Sequence, residues 1–205
     1  MRRIVLPLAV LMVAVSPVFA DDAVVGDPYS LEKCALTGKA LTAESPVAVK
    51  DGREFKFCCN GCKGKLESDT AAVVGKVDAA FIEQQKAKYP LDTCIIGGEK
   101  LGEKSVDAVI NNRYVRFCCA DCAETFKKDI AGNMKKLDAA VVEKQKAALT
   151  AKTCPVSGEA LGSMGDPINI VIANQTIPIC CKGCEKGLRK DPAKFLAKAQ
   201  GDAKS

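Results

Sequence analysis

Residues 34–62 read CALTGKALTAESPVAVKDGREFKFCCNGC and hold four cysteines, Cys34, Cys58, Cys59 and Cys62. Sixty residues on, the same spacing returns as Cys94, Cys118, Cys119 and Cys122, and then as Cys154, Cys180, Cys181 and Cys184 with two extra residues before the vicinal pair. Each first cysteine is followed by glycine at +4 (Gly38, Gly98, Gly158) and leucine at +7 (Leu41, Leu101, Leu161). Repetition at a fixed period is the signature of a duplicated structural unit. All 12 cysteines fall into it, four per copy.

Between the first and second cysteine, the pattern is that of a β-hairpin. Val47 to Val49 and Phe55 to Phe57 flank Asp51-Gly52, Asn111-Asn112 occupies the same place in the second copy, and Ile168 to Ile172 and Thr176 to Ile179 flank Ala173-Asn174-Gln175 in the third. After the last cysteine the pattern turns helical. Asp69, Asp129 and Asp191 stand seven residues on, and Asp191-Pro192 reads as an N-cap followed by proline at the first helical position, a reading that extends to the other two. Val77 to Ala87 and Leu137 to Ala148 share Asp-Ala-Ala-x-x-Glu-x-Gln-Lys and read as exposed helices joining one copy to the next. The expected fold is α+β: three tandem small units of hairpin plus helix, at residues 29–88, 89–148 and 149–205, on helical connectors that keep them independent.

Composition removes several chemistries. With no His in 205 residues, neither a Ser-His-Asp nor a Cys-His nucleophile can be built, nor a His-rich metal site, and the chain is read as a non-enzyme. Only 5% of residues are aromatic, so small units must gain stability from cysteine chemistry. Arg2 and Arg3, the apolar run Ile4 to Val15, and Ser16-Pro-Val-Phe-Ala20 read as a signal peptide over residues 1–20, cleaved after Ala20, with periplasmic or secreted delivery. The remainder carries 28 basic and 25 acidic residues, a charge of +3, too mild to argue for nucleic acid.

The cysteine arrangement favours metal. Cys59-x2-Cys62, Cys119-x2-Cys122 and Cys181-x2-Cys184 sit at helix starts, where two sulfurs converge and thiolates are favoured. Cys34, Cys94 and Cys154 supply the opposing ligand from a glycine-containing turn. A zinc knuckle usually has a second cysteine before that glycine, but Thr37, Gly97 and Ser157 stand there. Either all four cysteines of a copy bind Zn²⁺, or three bind, which suits Cu⁺ or a heavy thiophilic ion. Adjacent residues in extended chain face opposite ways, so Cys58 and Cys59 share an ion only if the backbone bends. Lys56, Lys63, Lys65, Arg113 and Arg116 read as a solvated face. Phe57, Phe117, Ile179, Leu66, Phe126 and Leu188 read as core around the sites.

One early cysteine, a spacer of 23 to 25 residues and then C-x3-C entering a helix resembles the TRASH and YHS-like heavy-metal-binding domains, in three copies over nearly the whole chain after the leader. The resemblance implies treble-clef-like units and a role in metal trafficking, buffering or resistance, with a metal transporter or donor protein as partner. It carries to the first, second and fourth cysteines of each copy; Cys59, Cys119 and Cys181 go beyond it. Two other readings stand beside it. Export favours structural disulfides in a stapled scaffold. The C-x-x-C pairs suit thiol redox exchange, which would be marked by one accessible cysteine of lowered pKa in each copy.

Overall fold

The computed structural model describes residues 26–201, so the expected leader at residues 1–20 lies outside the described residues. Hairpin formation is decided at the turns, where two successive residues must take positive φ to match strand twist. Asp51 and Gly52 do so at 53° and 72°, Asn111 and Asn112 at 46° and 69°, and Ala173 and Asn174 at 51° and 60°. They join β1 (Val47–Lys50) to β2 (Arg53–Lys56), β3 (Val106–Ile110) to β4 (Arg113–Phe117), and β5 (Ile168–Ile172) to β6 (Gln175–Ile179), three separate two-stranded antiparallel sheets. The third turn is two residues long, not three: Gln175 pairs with Ile172 as the first residue of β6.

Each hairpin runs into a pair of helices: α1 (Asn60–Ser68) and α2 (Thr70–Gln85), α3 (Ala120–Lys128) and α4 (Ile130–Gln145), α5 (Lys182–Lys190) and α6 (Pro192–Gly201). The chain is therefore mixed α+β, and the sequence repeats share one succession of elements. Asp69 and Asp129 cap α2 and α4 as expected, accepting hydrogen bonds from the amides of Ala72 at 3.3 Å and Gly132 at 2.9 Å. Replacing Asp129 with alanine leaves the Gly132 amide without this acceptor. A loss of about 1 kcal/mol is expected, read as a lower urea midpoint at unchanged slope. Among the described residues, no helix is long and apolar enough to cross a membrane.

The expected isolation of the copies does not hold. Rather than being exposed connectors, α2 buries Val73, Val77, Phe81 and Gln85, and α4 buries Asn133, Met134, Leu137 and Val141. Val109 of the second copy packs on the first core, and Val171 of the third lies within the second. The hairpin tips meet in a buried polar centre. Gln85, at the end of α2, donates to the Asn112 carbonyl at 2.8 Å and accepts from the Tyr114 amide at 2.9 Å. Gln145, at the end of α4, repeats this one copy later with the Asn174 carbonyl and the Thr176 amide, at 2.9 and 2.7 Å. Asn112 donates to the Glu54 carbonyl and accepts from Arg53 Nε, and Asn174 donates to the Tyr114 carbonyl, so the three turns are linked.

Arg113, expected on a solvated face, is 1% exposed at this centre. Its guanidinium donates to both oxygens of Asp27 at 2.6 and 2.7 Å, to Asp138 at 2.9 Å and to the Val171 carbonyl at 3.0 Å, while the Ala173 amide donates to Asp27. One side chain thus ties the N-terminal segment, α4 and the third hairpin together. Arg53 makes the corresponding pair with Asp78 of α2 at 2.7 Å, and Gln175 takes this place in the third copy. Of the other basic residues named above, Arg116 pairs with Asp107 at 3.0 Å, Lys56 and Lys63 are half-buried and Lys65 is exposed.

Candidate metal centre

Each first cysteine lies on a turn closed by a hydrogen bond from the amide of Gly38, Gly98 or Gly158 to the carbonyl of Cys34, Cys94 or Cys154, at 2.8 Å. These glycines take φ of 72°, 72° and 79°, a conformation that side-chain-bearing residues rarely adopt. The tight wrap aims the sulfur at the start of the following helix. There Cys59, Cys119 and Cys181 are the N-cap residues in extended backbone, with φ between −151° and −161°. The chain bends at the vicinal pair and its two sulfurs stay close, but their exposure differs: Cys58 and Cys118 are half-buried and Cys180 buried, while Cys59 and Cys119 are exposed and Cys181 is half-buried.

Three sulfurs of each copy gather: Cys34, Cys58 and Cys62; Cys94, Cys118 and Cys122; Cys154, Cys180 and Cys184, all within 4.8 Å of one another in each group. The inner pairs are 3.8 Å apart in the first group and 3.6 Å in the second and third. Sulfurs held at about 2.3 Å around one tetrahedral ion stand about 3.8 Å apart. A disulfide would need about 2.05 Å, and all twelve cysteines are free thiols. The fourth sulfur of each copy lies outside its group but beside it, at 3.9, 4.0 and 3.9 Å from Cys58, Cys118 and Cys180.

The surroundings suit a cation. Burial alone would raise the Cys34 thiol, but the amides of Cys58 and Leu36 and the Thr37 hydroxyl outweigh it and bring it down to about 7. Cys154 is likewise opposed by burial, yet the Ser157 hydroxyl and amide bring it down to about 6. Cys94 is lowered against burial by the amides of Gly97 and Cys118. In contrast, burial and neighbouring thiols push Cys62 and Cys184 up to about 12 and Cys122 up to about 11, and raise Cys118. Each group thus favours one negative sulfur and keeps protons on others, protons that a cation would displace. Cys59, Cys119 and Cys181 are lowered chiefly by the amides of Cys62, Cys122 and Cys184 in the first turn of the helix.

The expected core positions enclose the sites: Phe57, Phe117, Ile179, Leu66, Phe126 and Leu188 are at most 3% exposed. What sequence reasoning missed is the role of Thr37 and Ser157, whose hydroxyls lie 3.2 Å and 3.3 Å from the sulfurs of Cys58 and Cys180. Their position where a zinc knuckle carries cysteine was the available signal. Comparison with known proteins gives no matching family model, no matching curated protein and no matching solved structure.

Proposed function

We propose that this protein is an exported carrier, buffer or detoxifying sequestrant of soft metal ions, holding one ion in each three-sulfur group. The single observation that carries the reading is the threefold recurrence of three sulfurs within 4.8 Å, two of them 3.6–3.8 Å apart. Three thiolates favour Cu⁺ or a heavy thiophilic ion, and Zn²⁺ would call for a fourth ligand at each group. The likeness of spacing to TRASH and YHS-like domains points to the same role, with a transporter or donor protein as partner. Delivery to the periplasm or cell exterior belongs to this proposal through residues 1–20.

The test is native mass spectrometry of the reduced chain titrated with Cu⁺, Zn²⁺ or Cd²⁺ under anaerobic conditions. Saturation at three ions per chain is expected, and no bound ion with any of the three would overturn the reading. Affinity is also expected to rise with pH. Metal needs thiolates, and at neutral pH Cys62, Cys122 and Cys184 retain protons because their pKa values stand at about 12, 11 and 12. Binding releases those protons, so raising pH favours the bound state and acid expels the ion. At the second group both Cys118 and Cys122 are raised, so the rise of affinity with pH should be steeper there than at the first group.

One observation favours a second reading. Exposed Cys59 and Cys119, with pKa lowered at a helix start and Cys62 and Cys122 three residues on, have the character of attacking thiols in dithiol exchange. Rapid single alkylation of these residues in the metal-loaded protein, with no turnover of a disulfide substrate, would favour the metal reading.

A further inference from the structure

The residue three places after the first cysteine differs among the copies, being Thr37, Gly97 and Ser157. In the first and third copies its hydroxyl reaches the second sulfur. A Cβ placed on Gly97 would stand 3.0 Å from Cys118 Sγ, 3.2 Å from Cys122 Sγ and 3.9 Å from Cys94 Sγ. A point some 3–4 Å from all three sulfurs is close to the fourth corner of a tetrahedron whose edges are about 3.8 Å. Side chains therefore stand over that corner in the first and third groups, and glycine leaves it open in the second. Exposure agrees. No cysteine of the third group is partly exposed, one of the first is, Cys58, and two of the second are, Cys118 and Cys122.

Resting on the proposed metal-binding role, we infer that the second group is the port through which ions are exchanged, its fourth coordination position taken by the thiolate of a small external thiol, while the first and third groups retain their ions. As the external sulfur coordinates, its S–H proton passes to solvent and a metal–sulfur bond forms. No electron is transferred. Departure then proceeds by successive replacement of protein sulfurs by external ones, each displaced cysteine taking up a proton.

The probe is Cd²⁺. The chain is loaded with three equivalents, and removal by excess EDTA is followed through the sulfur-to-cadmium absorption with and without glutathione. One ion of the three is expected to leave about tenfold faster than the others when glutathione is present. Gly97→Ser should remove this fast phase, and Thr37→Gly should add a second. Equal rates for all three ions, a fast phase indifferent to glutathione, or a fast phase that persists in Gly97→Ser would each overturn the inference while leaving metal binding intact. Should Gly97→Ser fail to fold, an unchanged profile in both Thr37→Gly and Ser157→Gly would overturn it equally. A chain that takes up no Cd²⁺ defeats the underlying function instead.

Discussion

Arg113→Ala is expected to destabilise the entire chain by about 3–5 kcal/mol, in a single unfolding transition. The guanidinium is 1% exposed, and its removal leaves Asp27, itself 3% exposed, with a buried carboxylate that has lost both short contacts to Arg113. Asp138 and the Val171 carbonyl lose their contacts at the same time. Since these partners come from the N-terminal segment, α4 and the third hairpin, the loss cannot stay within one copy. Urea unfolding followed by circular dichroism, with tyrosine fluorescence as a second probe, checks this. Coincident transitions at a lowered midpoint are expected, and an early transition confined to part of the signal would refute the shared centre. Asp27→Leu combined with Arg113→Met should recover part of the loss, because the buried Asp27 carboxylate leaves with its partner, while the partly exposed Asp138 and the Ala173 amide still lose theirs.

Cys62→Ser should lower the bound metal from three ions per chain to two, whereas Cys59→Ser should keep all three. Cys62 is one of three gathered sulfurs and is 5% exposed. Losing a direct sulfur ligand should weaken the first site by more than about 100-fold, beyond what disturbing an outer partner costs. Cys59 lies outside the gathered group and is exposed. Native mass spectrometry of both variants gives the count directly. If Cys59→Ser also drops to two ions, the first site uses four sulfurs, the fourth already standing 3.9 Å from Cys58. Given the shared centre, Cys62→Ser is expected to remain folded when the other two sites are loaded.

Local elements were legible because each is determined by neighbours in sequence. The turns at Asp51-Gly52 and Asn111-Asn112, the caps at Asp69 and Asp129, and the glycine-containing wraps after Cys34, Cys94 and Cys154 all appear where their residues called for them. The three-sulfur set was open at the sequence level, since the placement of Cys59 depends on backbone that only the structure displays: the chain bends at the vicinal pair, leaving Cys59 exposed with its sulfur 3.9 Å from that of Cys58. The shared centre was not legible. Arg113 and Asp27 are 86 positions apart, and a lone arginine after a hairpin turn looks the same whether it faces solvent or a distant carboxylate. The Asp and Gln of the Asp-Ala-Ala-x-x-Glu-x-Gln-Lys pattern were visible as a repeat. Their use was hidden, because Asp78 and Asp138 face their own copy's arginine while Gln85 and Gln145 bind the next copy's hairpin.

That forward reach of Gln85 and Gln145 gives the molecule an order of completion. A chain that emerges N-terminus first, from a ribosome or through a translocation pore, presents Gln85 before Asn112 and Tyr114 exist to receive it. Asp27 likewise waits 86 residues for its guanidinium, and 146 for the amide of Ala173. The first cysteine group, whose members span only residues 34 to 62, is fully emerged well before that centre can close. Its sulfurs can therefore meet a metal ion, or an oxidant, while the packing that links it to the rest of the chain is still unmade.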